Sequence, residues 1–257
     1  MGHMEHETYV PLIAYLVSCV GCGLGLVCTM RARVGGRAAR NRWLALSAVS
    51  IGGTGIWAMH FIGMLGVTVP GSQVKWDIAL TVLSLAIAIV VVGAGMLLVA
   101  NGEPRIARML PAGVITGCGV AIMHYTGMAA MRVQGSIHYD LPLVGLSIVI
   151  AIVAATAALW ITRHVRRALA VIAAIPVMGL AVTGMHYTGM AATSVVLDAD
   201  APIPAGQDAS LFIAPLMIWI IATMLATVFV VALAPSEEEI LEDEHYQRLS
   251  AELLRSE

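Results

Sequence analysis

The chain has 257 residues, of which 59% are hydrophobic and 12% charged, with a formal net charge of −2. Its mean hydropathy of +0.88 excludes an ordinary soluble domain. No basic patch lies outside the short loops that follow apolar runs, so nothing indicates nucleic-acid binding. Four cysteines lie inside apolar runs, where a free thiol behaves as a small hydrophobe, and they indicate no disulfide framework.

Seven apolar runs are each long enough for a helix to cross about 30 Å of hydrocarbon. They occupy residues 10–30, 44–69, 77–100, 110–131, 142–162, 169–194 and 211–233. We therefore predict an all-α membrane protein of the cell inner membrane, with seven transmembrane helices and the lipid bilayer as its surroundings.

The basic residues predict the orientation of these spans. Ten of the fourteen Lys and Arg follow the first, third and fifth spans: Arg31, Arg33, Arg37, Arg40, Arg42, Arg105, Arg108, Arg163, Arg166 and Arg167. Because cytoplasmic loops carry the excess of basic residues, we expect the N-terminus outside and the C-terminus in the cytoplasm. Residues 1–8 then form a tag remnant (MGHM) and a short outer terminus, residues 9–234 the membrane domain, and residues 235–257 a cytoplasmic linker helix.

The second, fourth and sixth spans carry one repeated signature. It reads WAMHFIGM at 57–64, IMHYTGM at 122–128 and GMHYTGM at 184–190, and its histidines lie 64 and 62 residues apart. This period predicts three internal helical-hairpin repeats. A glycine precedes each histidine by seven residues, at Gly53, Gly117 and Gly179. Since small residues allow close helix packing, we expect these spans to meet one another and to hold the histidines in one layer, about 12 Å below the outer boundary.

The three histidines are the candidate ligands of a shared metal site. Inside the spans there is no Lys, Arg, Asp or Glu except at the ends, which argues against an ion-coupled carrier. A methionine four residues after each histidine shares its helix face, and imidazole with thioether sulfur favours copper. The candidate ligands are His60, His124, His186, Met64, Met128 and Met190; supporting residues are Met59, Met123, Met185, Phe61, Tyr125 and Tyr187. Histidines that only hold the helices together are the alternative.

The signature MHYTGM, present twice and as MHFIGM once, resembles the MHYT family of bacterial integral membrane sensor domains. The resemblance covers all seven spans and implies a sensory input domain, often joined to cytoplasmic output domains such as those of cyclic-di-GMP signalling. It also implies copper as cofactor and O2, CO or NO as the signal. The first repeat departs from the pattern, with Phe61 and Ile62 in place of Tyr and Thr.

The tail after Pro235 predicts an amphipathic helix that passes a signal to such an output domain. Pairing of this helix with a second copy as a coiled coil would form a homodimer, and a terminal helix without a partner is the alternative. The chain carries no nucleotide-binding, kinase or cyclase motif, so we expect no enzyme activity of its own. Three rival functions stay open at this point. They are a haem protein, a copper carrier, and a zinc-dependent intramembrane hydrolase that would need an aspartate from the outer edge.

Overall fold

The computed structural model describes residues 5–6, 8–33, 36–100, 106–165, 167–235 and the single residues 239, 246 and 250. The predicted tag remnant and most of the predicted linker helix lie outside these residues. Within them the chain forms seven long apolar helices, each long enough to cross a membrane. In order they are α1 Val10–Arg31, α2 Arg37–Leu65, α3 Ile78–Ala100, α4 Ile106–Ala130, α5 Leu141–His164, α6 Ala168–Ala191 and α7 Ala209–Leu233.

The seven-helix prediction is confirmed, and only α2 departs from it by more than a few residues. Its first turns, from Arg37, carry Arg40 and Arg42 and are too polar to register as an apolar run. It also ends at Leu65, because Val67 and Thr68 pair as a strand rather than continuing the helix. Helix formation and hydrophobicity therefore differ most at this polar entrance and where strands follow the helices, as Thr193–Leu197 does after α6.

The middle of α2, Val49–Ala58, is wound as a π-helix. This segment contains three glycines, which weaken the ordinary α-helical preference. Gly52 approaches α3 so closely that an added Cβ would lie 2.7 Å from the carbonyl oxygen of Ala88. π-Helical turns are uncommon and often mark functional sites, and this one leads directly into Met59 and His60.

Six helices form a closed ring in chain order, in which α1 contacts α2, each later helix contacts the next, and α6 returns to α1. Helix α7 packs outside this ring against α1 and α2, which leaves α2 the most buried of the seven helices. Large apolar side chains cover the outer faces of the ring and of α7 and suit a lipid environment. Examples are Leu12, Val90, Leu169 and Ile218.

The even-numbered helices are separated by the odd-numbered ones along most of their length, which corrects the expectation that they meet through their glycines. Gly53 faces Trp219 of α7, Gly117 faces the backbone of α5 at Ile152, and Gly179 faces Cys19 of α1. The small residues do permit close helix packing, but with other helices than predicted. Contacts of α2 with α4 and α6 are sparse.

One end of the ring carries short strands that the sequence patterns did not predict. They pair as three two-stranded antiparallel sheets, β1 Glu5–His6 with β2 Val67–Thr68, β3 Lys75–Trp76 with β4 Met131–Arg132, and β5 Gly135–Tyr139 with β6 Thr193–Leu197. We call this end the strand side. We call the opposite end, where α1 finishes at Arg31 and α2 begins at Arg37, the arginine side.

Candidate metal centre

The three motif histidines converge on the ring axis near the strand side, so the predicted convergence is confirmed. Their Nδ1 atoms form a nearly equilateral triangle, with distances of 3.0 Å (His60 to His186), 3.1 Å (His124 to His60) and 3.3 Å (His186 to His124). The rings meet edge to face, with centroids 4.8–5.2 Å apart. We call these residues the histidine triad. They lie five or six residues from the ends of their helices, about 8 Å along the helix axis.

No placement of protons lets all three Nδ1 atoms form favourable hydrogen bonds with one another. A neutral imidazole nitrogen either carries a hydrogen and donates or carries a lone pair and accepts. Among three nitrogens in mutual contact at least two must therefore be alike, so that two lone pairs or two N–H groups face each other. A cation that accepts all three lone pairs removes the conflict. The centre of such a triangle lies about 1.8 Å from each nitrogen, near the usual metal–imidazole distance of about 2.0–2.1 Å.

The triad is sealed from solvent, since the three residues are at most 1% exposed. Among the described residues, the histidine triad is the one cluster of three or more His, Cys, Asp or Glu side chains that are close enough together to hold a metal ion. The group contains no carboxylate, so the site as built has no negative charge. Three neutral imidazoles can hold a cation, but they cannot cancel its charge.

The methionines of the motifs are buried with the triad. Met64 and Met128 are 0% exposed and Met190 is 3% exposed, and the preceding methionines Met59, Met123 and Met185 are buried as well. Four residues after its histidine, each member of the first set lies on the same face of its helix. Burial therefore permits both sets to act near the triad, while their roles as ligands or as packing residues stay predictions.

The aromatic residue after each histidine has a different setting in the first repeat. Tyr125 and Tyr187 each pack edge to face on the preceding histidine, with centroids 4.9 and 4.8 Å apart. Phe61 instead stacks on Trp57 and meets Trp76 and Phe212 edge to face. Helix α7, which carries Phe212, packs against α2, so the apolar surroundings of Phe61 suit phenylalanine where the other repeats have tyrosine.

Three aspartates of the strand side have structural partners. Asp77 pairs with Arg132 at 3.0 Å, and Asp208 pairs with Lys75 at 2.6 Å. Asp140 accepts from the backbone N–H of Leu143 at the start of α5. The backbone N–H of Leu80 and then the guanidinium of Arg132 lower the pKa of Asp77. These carboxylates hold loops and helix ends together rather than reaching the triad.

An apolar cavity of about 60 Å³ occupies the ring interior on the arginine side of the triad. It reaches Met185, the residue before His186, and its wall includes Cys22, Met96 and Met178. The cavity thus lies on the side of the triad that faces away from the paired strands. Cys22, interpreted from sequence as packing, borders this cavity, whereas Cys118 lines a groove elsewhere, between α3, α4 and α5. No spacing pattern in the sequence could have shown that α1 closes the ring.

Comparison with known families agrees with this architecture. The model of the bacterial signalling protein N-terminal repeat, MHYT, matches residues 53–112, 117–175 and 179–241. These three matches cover well over half of the chain and include all three histidines. The chain belongs to the MHYT family. Each MHYT match begins inside an even-numbered helix and includes the odd-numbered helix that follows, so α1 lies outside the matched repeats.

Curated relatives of this MHYT chain are signalling proteins. It is 43% identical over 160 residues to the bifunctional diguanylate cyclase/cyclic di-GMP phosphodiesterase MucR of Pseudomonas aeruginosa, covering 60% of this chain and 23% of that protein. It is 35% identical over 209 residues to the cyclic di-GMP phosphodiesterase NbdA of the same organism, covering 78% and 26% respectively. It is 29% identical over 210 residues to the signalling protein YkoW of Bacillus subtilis, covering 78% and 26%. No solved structure matches.

The matches and the seven apolar helices together make this chain a multi-pass inner-membrane protein with an MHYT sensory domain. The chain spans about a quarter of the length of these relatives. The activities in their names therefore belong to proteins that extend well beyond the matched region.

Proposed function

We propose that this chain is the metal-binding sensory input domain of a cyclic-di-GMP signalling protein, and that His60, His124 and His186 hold copper through their Nδ1 atoms. The observation that carries the proposal is the Nδ1 triangle, which no distribution of protons satisfies. The relatives MucR and NbdA support the signalling context. The chain itself acts as an input domain and not as an enzyme, with the catalytic output elsewhere in the full-length protein.

The charge of the site favours copper over zinc. A charge inside the bilayer is costly unless it is compensated, and the triad offers no carboxylate. Monovalent copper would leave one uncompensated charge, whereas zinc would leave two. The thioethers of Met64, Met128 and Met190 are soft donors that suit monovalent copper and can complete its coordination. Buried, uncharged and partly sulfur-containing donors thus select the same ion.

The rival interpretations fit the geometry less well. Haem held by two histidines needs its axial nitrogens about 4 Å apart on opposite faces of the macrocycle. The three Nδ1 atoms instead share one point, with ring centroids only 4.8–5.2 Å apart, which leaves no room for the macrocycle. A zinc hydrolase would use Asp77, Asp140, Asp198 or Asp200 as base. Asp77 pairs with Arg132, Asp140 accepts from the N–H of Leu143, and Asp198 accepts from the N–H of Asp200.

A route from site to signal follows from the helices that carry the triad. When bound, copper would supply a centre whose preferred coordination depends on its oxidation state or on a diatomic gas such as O2, CO or NO. The three histidines belong to α2, α4 and α6, so a change in their spacing moves three helices of one ring. The apolar cavity next to Met185 has the size and polarity to admit a diatomic molecule. Two ring arrangements with different affinity for the signal would then drive the output.

Metal content of the detergent-purified protein tests the proposal. We expect about one copper per chain by plasma mass spectrometry, and less than a tenth of that in the variant with His60, His124 and His186 all changed to alanine. His164→Ala is the matched control, because this exposed histidine lies far from the triad and should leave the ratio unchanged. Full copper content in the triple variant, or none in the reconstituted wild type, would contradict the proposal.

Copper transfer through the ring is a second candidate function, favoured by the sulfur atoms around the cavity. Met178 lies eight residues before His186, about 12 Å along α6, and Cys22 and Met96 border the same cavity from α1 and α3. These residues continue a series of soft donors from the triad towards the arginine side. Copper uptake into sealed vesicles would favour a carrier, and retention without uptake would favour a sensor.

A further inference from the structure

Each motif contains a glycine three residues after its histidine, at Gly63, Gly127 and Gly189. These glycines recur even in the first repeat, where the tyrosine and the threonine do not. A Cβ added at any of the three would overlap a histidine ring at its Nε2 atom, and the ring always belongs to a different repeat. Gly127 lies against the ring of His60, Gly189 against that of His124, and Gly63 against that of His186. We call each such contact a glycine seat of the histidine.

The three contacts form a closed cycle in which each repeat seats the histidine of another. The first repeat seats the histidine of the third, the second that of the first, and the third that of the second. Even-numbered helices otherwise have few contacts with one another. The histidine and glycine pairs are therefore the main connection among α2, α4 and α6 at this level of the membrane.

The seats also determine which ring nitrogen faces the axis. With Nε2 held against a glycine of the next helix, Nδ1 is the nitrogen left to point into the triangle. For His60 and His124, Nε2 has no hydrogen-bond partner among the described residues, so shape rather than a polar contact orients these rings. Any side chain at the glycine would push Nε2 away and rotate Nδ1 out of the triangle.

We infer that Gly63, Gly127 and Gly189 are positioning residues of the metal centre, each acting through the histidine of another repeat and selecting Nδ1 as its ligand atom. The metal part of this inference rests on the proposed function. The seating itself does not, because it concerns the metal-free protein. A single substitution at one glycine should therefore act on one particular histidine, and that histidine is not the one in its own motif.

A double-mutant cycle in metal-free protein tests the seating. Gly189→Ala should lower the melting temperature by roughly 5 °C, since a buried overlap forces the neighbouring ring to move. In a His124→Ala background the ring is gone, so Gly189→Ala should cause no further loss. In a His60→Ala background it should cause its full loss, because His60 is seated on Gly127. Gly184→Ala, on the same helix, is the matched control, as a Cβ there meets nothing within 4 Å.

Copper affinity provides the second readout, measured by competition with a chelator in otherwise wild-type protein. Gly189→Ala should weaken copper binding at least tenfold, whereas Gly184→Ala should leave the copper affinity unchanged. Equal effects of Gly189→Ala in the two histidine backgrounds, or tolerance equal to that of Gly184→Ala, would overturn the inference. If the cycle behaves as expected but the wild-type protein binds no copper, the seating stands and only the proposed function fails.

Discussion

At the scale of single residues, the three motifs are equivalent at the histidine and differ at the residue after it. Tyr125 reaches out of its motif to Ser147 of α5, with the hydroxyl groups 2.7 Å apart. Phe61 lies against three aromatic side chains instead. A function that requires three equivalent tyrosine hydroxyls therefore does not suit this chain, whereas one that requires three equivalent imidazoles does.

Exchanging the two aromatic types should destabilise the protein in both directions. Tyr125→Phe removes one hydrogen bond, worth about 1 kcal/mol, and Phe61→Tyr places a hydroxyl among aromatic rings at a cost of about 1–3 kcal/mol. We expect both variants to melt at lower temperature in detergent, with Phe61→Tyr at least as low as Tyr125→Phe. A melting temperature for Phe61→Tyr equal to that of the wild type would show that the hydroxyl finds a partner there.

At the scale of secondary-structure elements, the sequence predicted the helices well and their neighbours poorly. Hydrophobicity indicates which segments enter the membrane, and repetition of the motif indicates that His60, His124 and His186 lie at one depth. Neither reports which helices are adjacent. Gly53 and Gly117 were assigned to contacts between even-numbered helices, yet they face α7 and α5, because a small residue shows that something approaches closely without showing what.

The arginine side contains contacts that join separate elements through helix ends. Arg31, at the end of α1, donates to the carbonyl of Pro235 at 2.6 Å and to that of Val231 at 3.4 Å. Arg33 donates instead to the carbonyls of Thr162 and Val165 at the end of α5. A cation at a helix C-terminus is favourable, so α1 is tied to both α5 and α7.

Arg31 is thus expected to hold the end of α7, from which the chain continues towards the proposed output domain. Arg31→Gln should accelerate hydrogen exchange of backbone amides in the last turn of α7 by several-fold, because that turn loses its charged partner. Arg33→Gln is the matched control and should act on the end of α5 instead. Indistinguishable exchange profiles in the two variants would show that the arginines do not act on separate helices.

At the scale of the whole molecule, the ring is closed by a helix that the repeats do not contain. The MHYT matches include α3, α5 and α7 as corresponding odd-numbered helices. However, α1 occupies the position between α6 and α2, and α7 lies outside the ring. The helix that leads to the C-terminal tail therefore packs on the ring mainly at α1 and α2. Movement of His60 on α2 thus has the shortest path to the proposed output domain.

A signal can reach a cytoplasmic output domain only if the end of α7 faces the cytoplasm. The distribution of basic residues predicts that it does. The arginine-rich loops should stay in the cytoplasm, which places the strand side and the cover of the triad outside. Fusions test this directly: a fluorescent protein after Pro235 should be bright, and alkaline phosphatase at the same position should be inactive. A fusion in the loop at Gly71 should show the reverse pattern. Active phosphatase after Pro235 would place the arginine side outside, and the proposed signal could then not pass from α7 to a cytoplasmic output domain.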